Sequence, residues 1–175
     1  MEIRTFEPRW LEGAKSALKD AFYRPESDPR YNEWEFADYV TRDPGFLPEL
    51  CLVALEGEQV VGYVALTEAR VGDSAGLALA PLGVRKDRQN RGVGTALVNE
   101  AIARAKGGSW PWIALLGGDY YRRFGFEKAA AGGLDVTDNA FDKEHLQILR
   151  LNENEPPRGR LVYCGAFYDD KGNLL

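Results

Sequence analysis

The spacing of apolar residues changes several times along this chain, and each change marks an element. Glu2 to Phe6 reads as a first strand. Leu11, Ala14, Leu18, Ala21 and Phe22 then fall at i, i+3, i+7, i+10 and i+11, which predicts a helix from about Pro8. The two prolines in Arg24-Pro25-Glu26-Ser27-Asp28-Pro29 end it, because neither fits inside a helix. A second helix is expected over Tyr31 to Thr41, stopped by Asp43-Pro44-Gly45. Leu50–Leu55 and Gln59–Thr67 are rich in Val and Leu and meet at Glu56-Gly57-Glu58, the pattern of a hairpin.

The next stretch organises the rest. An apolar run, Leu77 to Val84, leads through a charged loop to Gly92 and Gly94. From there Val93, Leu97, Val98, Ala101, Ile102 and Ala105 form one helical stripe, ended by Gly107-Gly108. Pro81 lacks the N–H that a sheet ladder needs, so the run is either bulged at that point or an edge strand. Trp112–Leu116 is a further apolar strand, giving strand, helix, strand with a parallel crossover. His145 to Leu151 alternates, with His145 and Gln147 on the polar side, and Arg160–Phe167 is expected as the last strand. Ala129 to Phe141 carries no assignable pattern.

Glycines at the start of a helix point to an anion. The first helical turn has N–H groups without internal partners, and the macrodipole adds positive charge there. Small residues at 92 and 94 let a phosphate approach, and Arg85, Lys86, Arg88 and Arg91 surround the loop. A diphosphate is the natural ligand. The Walker pattern is absent, and the dinucleotide pattern lacks its third glycine and would begin directly after the strand.

Composition narrows the partners. The 175 residues suit a single domain spanning 1–175, with 45% hydrophobic and 28% charged residues. A net charge of −5 argues against nucleic acid. Two cysteines and one histidine make no metal site, so no metal is expected. No apolar run nears the ~18 residues of a membrane span, and no signal-peptide pattern opens the chain. No membrane partner and a cytoplasmic location are therefore expected.

Gln89-Asn90-Arg91-Gly92-Val93-Gly94, preceded by Leu82-Gly83-Val84, resembles the acetyl-CoA pyrophosphate loop of the GNAT superfamily of N-acetyltransferases. Tyr121-Arg122-Arg123-Phe124-Gly125-Phe126 is similar to a second GNAT signature, in the right order about thirty residues on. The resemblance covers about residues 50 to 130. It implies an α+β (mixed α/β) fold, with a twisted mixed sheet of about seven strands flanked by helices and a bulged, splayed central strand. It also implies acetyl-CoA as co-substrate, with its pyrophosphate on backbone amides of Gln89, Asn90, Arg91, Gly92, Val93, Gly94 and Thr95. The pantetheine and thioester would lie against Leu82, Gly83 and Val84.

The implied reaction is direct attack of a substrate amine on the thioester, with Tyr121 as the acid that protonates the departing thiolate. Tyr120 could serve instead. The asparagine that many members carry seven residues earlier is Ala114 here. No general base is legible; Glu68, Asp119 and a water chain are the options, and His145 is expected on the sheet surface. Acids and aromatics between Phe22 and Tyr39 suit a protonated amine with an apolar body, though a solvated helix face explains them too. The acceptor, a small molecule or a peptide amine, and the choice of monomer or homodimer stay open. Two other readings stand at this level: a non-catalytic CoA-binding sensor or scaffold on the same fold, and a nucleotide-binding switch.

Overall fold

The computed structural model describes residues 1–26 and 32–175. Its central strands are apolar on both faces, and helices cover both. In β2 (Phe46–Glu56), Cys51, Val53 and Leu55 join Ala14, Ala17 and Leu18 of α1 (Leu11–Phe22) and Ala37 and Val40 of α2 (Phe36–Arg42). The alternate residues Leu50, Leu52 and Ala54 join Val93, Leu97, Val98 and Ala101 of α3 (Val93–Gly107). A strand buried on both sides must be apolar throughout, which is why these segments read as runs and not as alternations. Each fully buried leucine adds about 1.5–3 kcal/mol of apolar burial.

The remaining strands are β1 (Glu2–Thr5), β3 (Gln59–Val71), β4 (Ser74–Val84), β5 (Trp112–Leu116), β6 (Glu127–Lys128), β7 (Leu134–Asp135), β8 (Leu146–Arg150) and β9 (Gly159–Val162). The sheet runs β1-β2-β3-β4-β5-β8-β6, with β9 on the end of β3 and β7 beside β9. Neighbours are antiparallel except β4–β5, joined across α3, and β7–β9. This is the expected mixed α/β sheet; among the described residues it has nine strands instead of about seven, two of them pieces of two residues.

The bulge lies where Pro81 requires it. Val64 pairs Leu82 and Leu66 pairs Leu79, so Ala80 and Pro81 together oppose the single residue Ala65. The Ala80–Pro81 peptide is cis. One extra residue inverts the strand's parity: Leu77 and Leu79 face the α3 core before the bulge, Leu82 and Val84 after it. β4 is paired on both sides at Leu77 and Ala78, which removes the edge-strand alternative.

Several boundaries differ from the sequence reading, for physical reasons. β3 continues to Val71 and β4 starts at Ser74, making a second tight hairpin at Gly72-Asp73 that replaces the expected break between Thr67 and Leu77. Pro8–Trp10 forms a 3-10 turn before α1 proper. The second helix is a 3-10 turn, Glu33–Glu35, followed by α2; Tyr31, its expected start, lies outside the described residues. The expected strand Arg160–Phe167 ends at Val162, and a 3-10 turn (Gly165–Phe167) stacks Phe167 on Phe36 at 5.0 Å. His145 is not on the sheet: it closes α4 (Ala140–His145), with Nδ1 2.7 Å from the Phe141 carbonyl and its ring stacked on Phe141 at 4.0 Å. The unassigned stretch holds β7 and the cap of α4, where Asn139 accepts from the Phe141 N–H at 2.8 Å. After α3 the left-handed residue is Ser109 (φ 61°), not a glycine. Among the described residues no helix is long and apolar enough to cross a membrane.

The one short stretch of β4–β5 pairing is fixed by close packing. A Cβ on Gly76 would stand 2.3 Å from the Trp112 indole, whose Nε1 donates to Ser74 Oγ at 2.9 Å. Gly76→Ala should therefore lower unfolding stability by about 2 kcal/mol in chemical denaturation, through overpacking. Ser74→Ala, which removes only the hydrogen bond, should cost about 1 kcal/mol. The reverse ranking would refute the packing account.

Candidate active site

The turn into α3 is built from residues that tolerate left-handed backbone. Asn90 (φ 61°) and Gly92 (φ 83°) both adopt it, and Gly92 is the N-cap. The first intrahelical bond runs from Ala96 N–H to the Gly92 carbonyl at 2.9 Å. Val93, Gly94 and Thr95 therefore have N–H groups without partners inside the helix. The Gln89 side-chain amide donates to the Val84 carbonyl at 2.9 Å and ties the turn back to the end of β4.

A cavity of about 580 Å³ opens over this turn. It is bordered by Leu82, Gly83 and Val84 from β4 and by Gln89, Asn90, Gly92, Val93, Gly94 and Thr95 from the turn and helix start. Arg91, named with them from the sequence, is exposed and does not border it. The expected cations are mostly engaged elsewhere. Arg88 donates to Glu56 at 2.8 Å and to Asp87 at 3.0 Å, Arg85 to Asp87 at 3.4 Å, and Lys86 Nζ to the Tyr23 carbonyl at 3.3 Å. Among the described residues the cation on the cavity wall is Arg123, which sequence reasoning passed over. Its guanidinium lies 4.2 Å from the centre of the Tyr120 ring, and its Nε donates to the Tyr120 carbonyl at 3.0 Å. The signal was the arginine pair inside the second motif.

A second cavity, about 360 Å³, occupies the gap where β4 and β5 part. The two strands pair only at Leu77 with Ile113 and Ala78 with Ala114. Beyond the bulge β4 follows β3 while β5 follows β8. Leu79 to Leu82, Leu116, Gly117 and Tyr121 line the gap side, and the two cavities share Phe22 and Leu82. They adjoin at the bulge.

The adjacent tyrosines face different cavities. Tyr120 borders the first, its hydroxyl sharing a 3.3 Å hydrogen bond with Thr95 Oγ1. Tyr121 borders the second and packs edge-on against Phe126 at 5.9 Å. Burial, and then the neighbouring Tyr120, push the Tyr121 phenol up to about 12, so it is a proton-bearing donor at neutral pH. The turn that carries it is braced from below by Gln147, which is only 5% exposed. Its amide donates to the carbonyls of Gly117 (2.7 Å) and Gly118 (3.0 Å). The alternating pattern placed Gln147 on a polar face; β8 is flanked by β5 and β6, and the side chain is buried under the turn.

Other singled-out residues lie apart. Glu68 pairs with Arg70 at 3.2 Å and lines a separate cleft beside Cys164; Asp119 is exposed and borders neither of the two cavities. Ala114 is fully buried in the last β4–β5 rung and reaches neither. Of the acids and aromatics between Phe22 and Tyr39, Phe22, Glu33 and Phe36 line the second cavity. Glu35 instead pairs with Lys15 at 3.2 Å, Asp38 with Arg42 at 3.0 Å, and Trp34 packs on Tyr23. Asp28, Arg30 and Tyr31 lie outside the described residues.

Comparison with known proteins agrees with this geometry. The model of the acetyltransferase (GNAT) family matches residues 11–126. A GNAT family acetyltransferase from Brucella melitensis, solved in complex with acetyl-CoA, is 28% identical with a TM-score of 0.77, over 95% of this chain and 97% of that one. The GNAT family N-acetyltransferase YhbS from Escherichia coli, solved with CoA, is 27% identical with a TM-score of 0.83, over 95% and 91%. An aminoglycoside 6'-N-acetyltransferase complexed with coenzyme A, at 16% identity and TM-score 0.62 over 89% and 100%, shares the fold alone. No curated protein matches the chain. With the family model covering most of the sequence and the strand order, bulge and helix start in place, the chain belongs to the GNAT acetyltransferase family.

Proposed function

We propose that this chain is an N-acetyltransferase that moves an acetyl group from acetyl-CoA to a primary amine by direct attack. The observation that carries the reading is the meeting of the two cavities at Leu82, between an anion-binding helix start and a protonated tyrosine. Acetyl-CoA, when bound, supplies an activated thioester. The backbone between Gln89 and Thr95, Arg91 included, holds its diphosphate, with Arg123 as the nearby cation. Past Ala78 the β5-facing edge of β4 has no ladder partner among the described strands. On that edge the backbone groups of Leu82 and the N–H of Val84 are thus available to hold the pantetheine arm and polarise the carbonyl, while Gly83, paired with Tyr63 of β3, lies between them.

The amine nitrogen bonds to the carbonyl carbon while the carbon–sulfur bond breaks, its electron pair going to sulfur. Tyr121 donates to that sulfur, supplies the proton of the free thiol and regains one from solvent. The surplus amine proton leaves through water, since Glu68 and Asp119 border neither cavity. Tyr120 braces the cofactor side through Thr95.

Four outcomes test this. Acetyl-CoA should raise the melting temperature where ATP with Mg²⁺ does not. Gly94→Ala should weaken acetyl-CoA binding about tenfold, because the added Cβ would sit 2.9 Å from the Tyr120 hydroxyl; an ATP-selective shift would favour a nucleotide switch. Tyr121→Phe should lower kcat by about a hundredfold with little change in acetyl-CoA KM, whereas an equal effect confined to Tyr120→Phe would move the acid to its neighbour. Since burial raises the Tyr121 pKa, the donor form persists as pH rises. With an amine acceptor, kcat/KM should climb with pH as the amine deprotonates and show no alkaline fall through about pH 10.

A further inference from the structure

The second cavity carries information about the acceptor, an inference that rests on the transferase reading above. Its outer wall is aromatic. Phe36 and Phe167 are stacked at 5.0 Å with 19° between their planes, and Tyr163 packs on Phe167 at 5.1 Å. These rings come from distant parts of the chain, α2 and the turn after β9, and converge across the gap from Leu79, Pro81 and Leu116. Phe22, at the end of α1, borders both cavities. The lining thus joins a cluster of rings to aliphatic residues of β4 and β5 and to Leu174 and Leu175.

Charge is sparse around it. Among the described side chains lining the cavity, Glu33 has the one carboxylate, and no lysine or arginine lines it. A polycation such as a polyamine or an amino sugar would bury several ammonium groups against a single acid, which is costly when charges lose water unpaired. An amine with one nitrogen on a flat apolar body meets the lining on every side: rings against rings, with the nitrogen turned to Tyr121 and the shared boundary at Leu82. The cavity, about 360 Å³, lies at the small end of the ~300–1,000 Å³ typical of ligand pockets. We infer that the acceptor is a small monoamine carrying an aromatic ring, held between the Phe36–Phe167–Tyr163 wall and the bulged strand.

The test is an acceptor panel followed by release of free thiol from acetyl-CoA: 2-phenylethylamine and tryptamine, n-propylamine as the ringless control, and spermidine and kanamycin as polycations. The ring-bearing amines should exceed propylamine at least tenfold in kcat/KM, mostly through KM, with the polycations poorest. Phe36→Leu should reduce the ring-to-propyl ratio severalfold while the acetyl-CoA-induced rise in melting temperature stays as in the parent. Phe167→Ala, which opens a larger gap, should reduce it further if it folds. The inference is overturned if propylamine equals the ring-bearing amines, if a polycation is preferred, or if the slot selects a longer acyl chain, so that octanoyl-CoA outperforms acetyl-CoA without discrimination among amines. Absence of any acetyl-CoA-induced stabilisation would instead remove the transferase reading itself, so the two failures are separable.

Discussion

The architecture of this protein depends on a sheet ladder that stops early. β4 and β5 hold together over two register pairs, Leu77 with Ile113 and Ala78 with Ala114, and then separate. A proline cannot donate to a ladder, and the bulge at Ala80-Pro81 turns β4 away while β3 keeps hold of it. The result is a pair of adjoining cavities that share Phe22 and Leu82. Such a gap opens only because both faces are well supported elsewhere. α1 and α2 cover one side, α3 the other, and Trp112 over Gly76 pins the last paired segment.

Electrostatics around the larger of these two cavities follow from which cations are already committed. Arg85 and Arg88 form ion pairs with Asp87 and Glu56, and these half-exposed pairs shape the loop more than they stabilise it. What faces the cavity is backbone: the start of α3, with N–H groups that no helical carbonyl can reach. Arg123 comes from another segment and is oriented by the face of Tyr120. Backbone donors held by a helix need no reorganisation when an anion arrives, whereas flexible lysines and arginines would first have to be ordered.

The turn after β5 shows how a buried polar side chain serves a site without touching it. Gln147 satisfies the carbonyls of Gly117 and Gly118. A Cβ on Gly117 would come within 2.6 Å of the Tyr121 ring, so the ring lies directly against the backbone there. Two consecutive tyrosines on a short 3-10 turn necessarily point in different directions. One therefore borders the cavity at the start of α3 while the other faces the gap.

Local chemistry made much of this legible in the sequence. The stripe of α3, the glycines at its start, the proline in β4 and the second motif are short-range features whose physical meaning is fixed by neighbours a few residues away. So is the two-sided burial of β2 and β3, which appears as unbroken apolar runs. What lies beyond that range was decided by tertiary structure. Whether Arg88 or Arg123 faces the cavity depends on where Glu56 and Tyr120 sit in space. Whether Gln147 is wet or buried depends on the Gly117-Gly118 turn, which folds over its side chain. Residues 163 to 167 leave the strand pattern because Phe167 gains more by stacking on Phe36, a contact between segments over a hundred positions apart. Spacing along a chain encodes which face a residue shares with its near neighbours; it carries no record of which distant surface that face will meet.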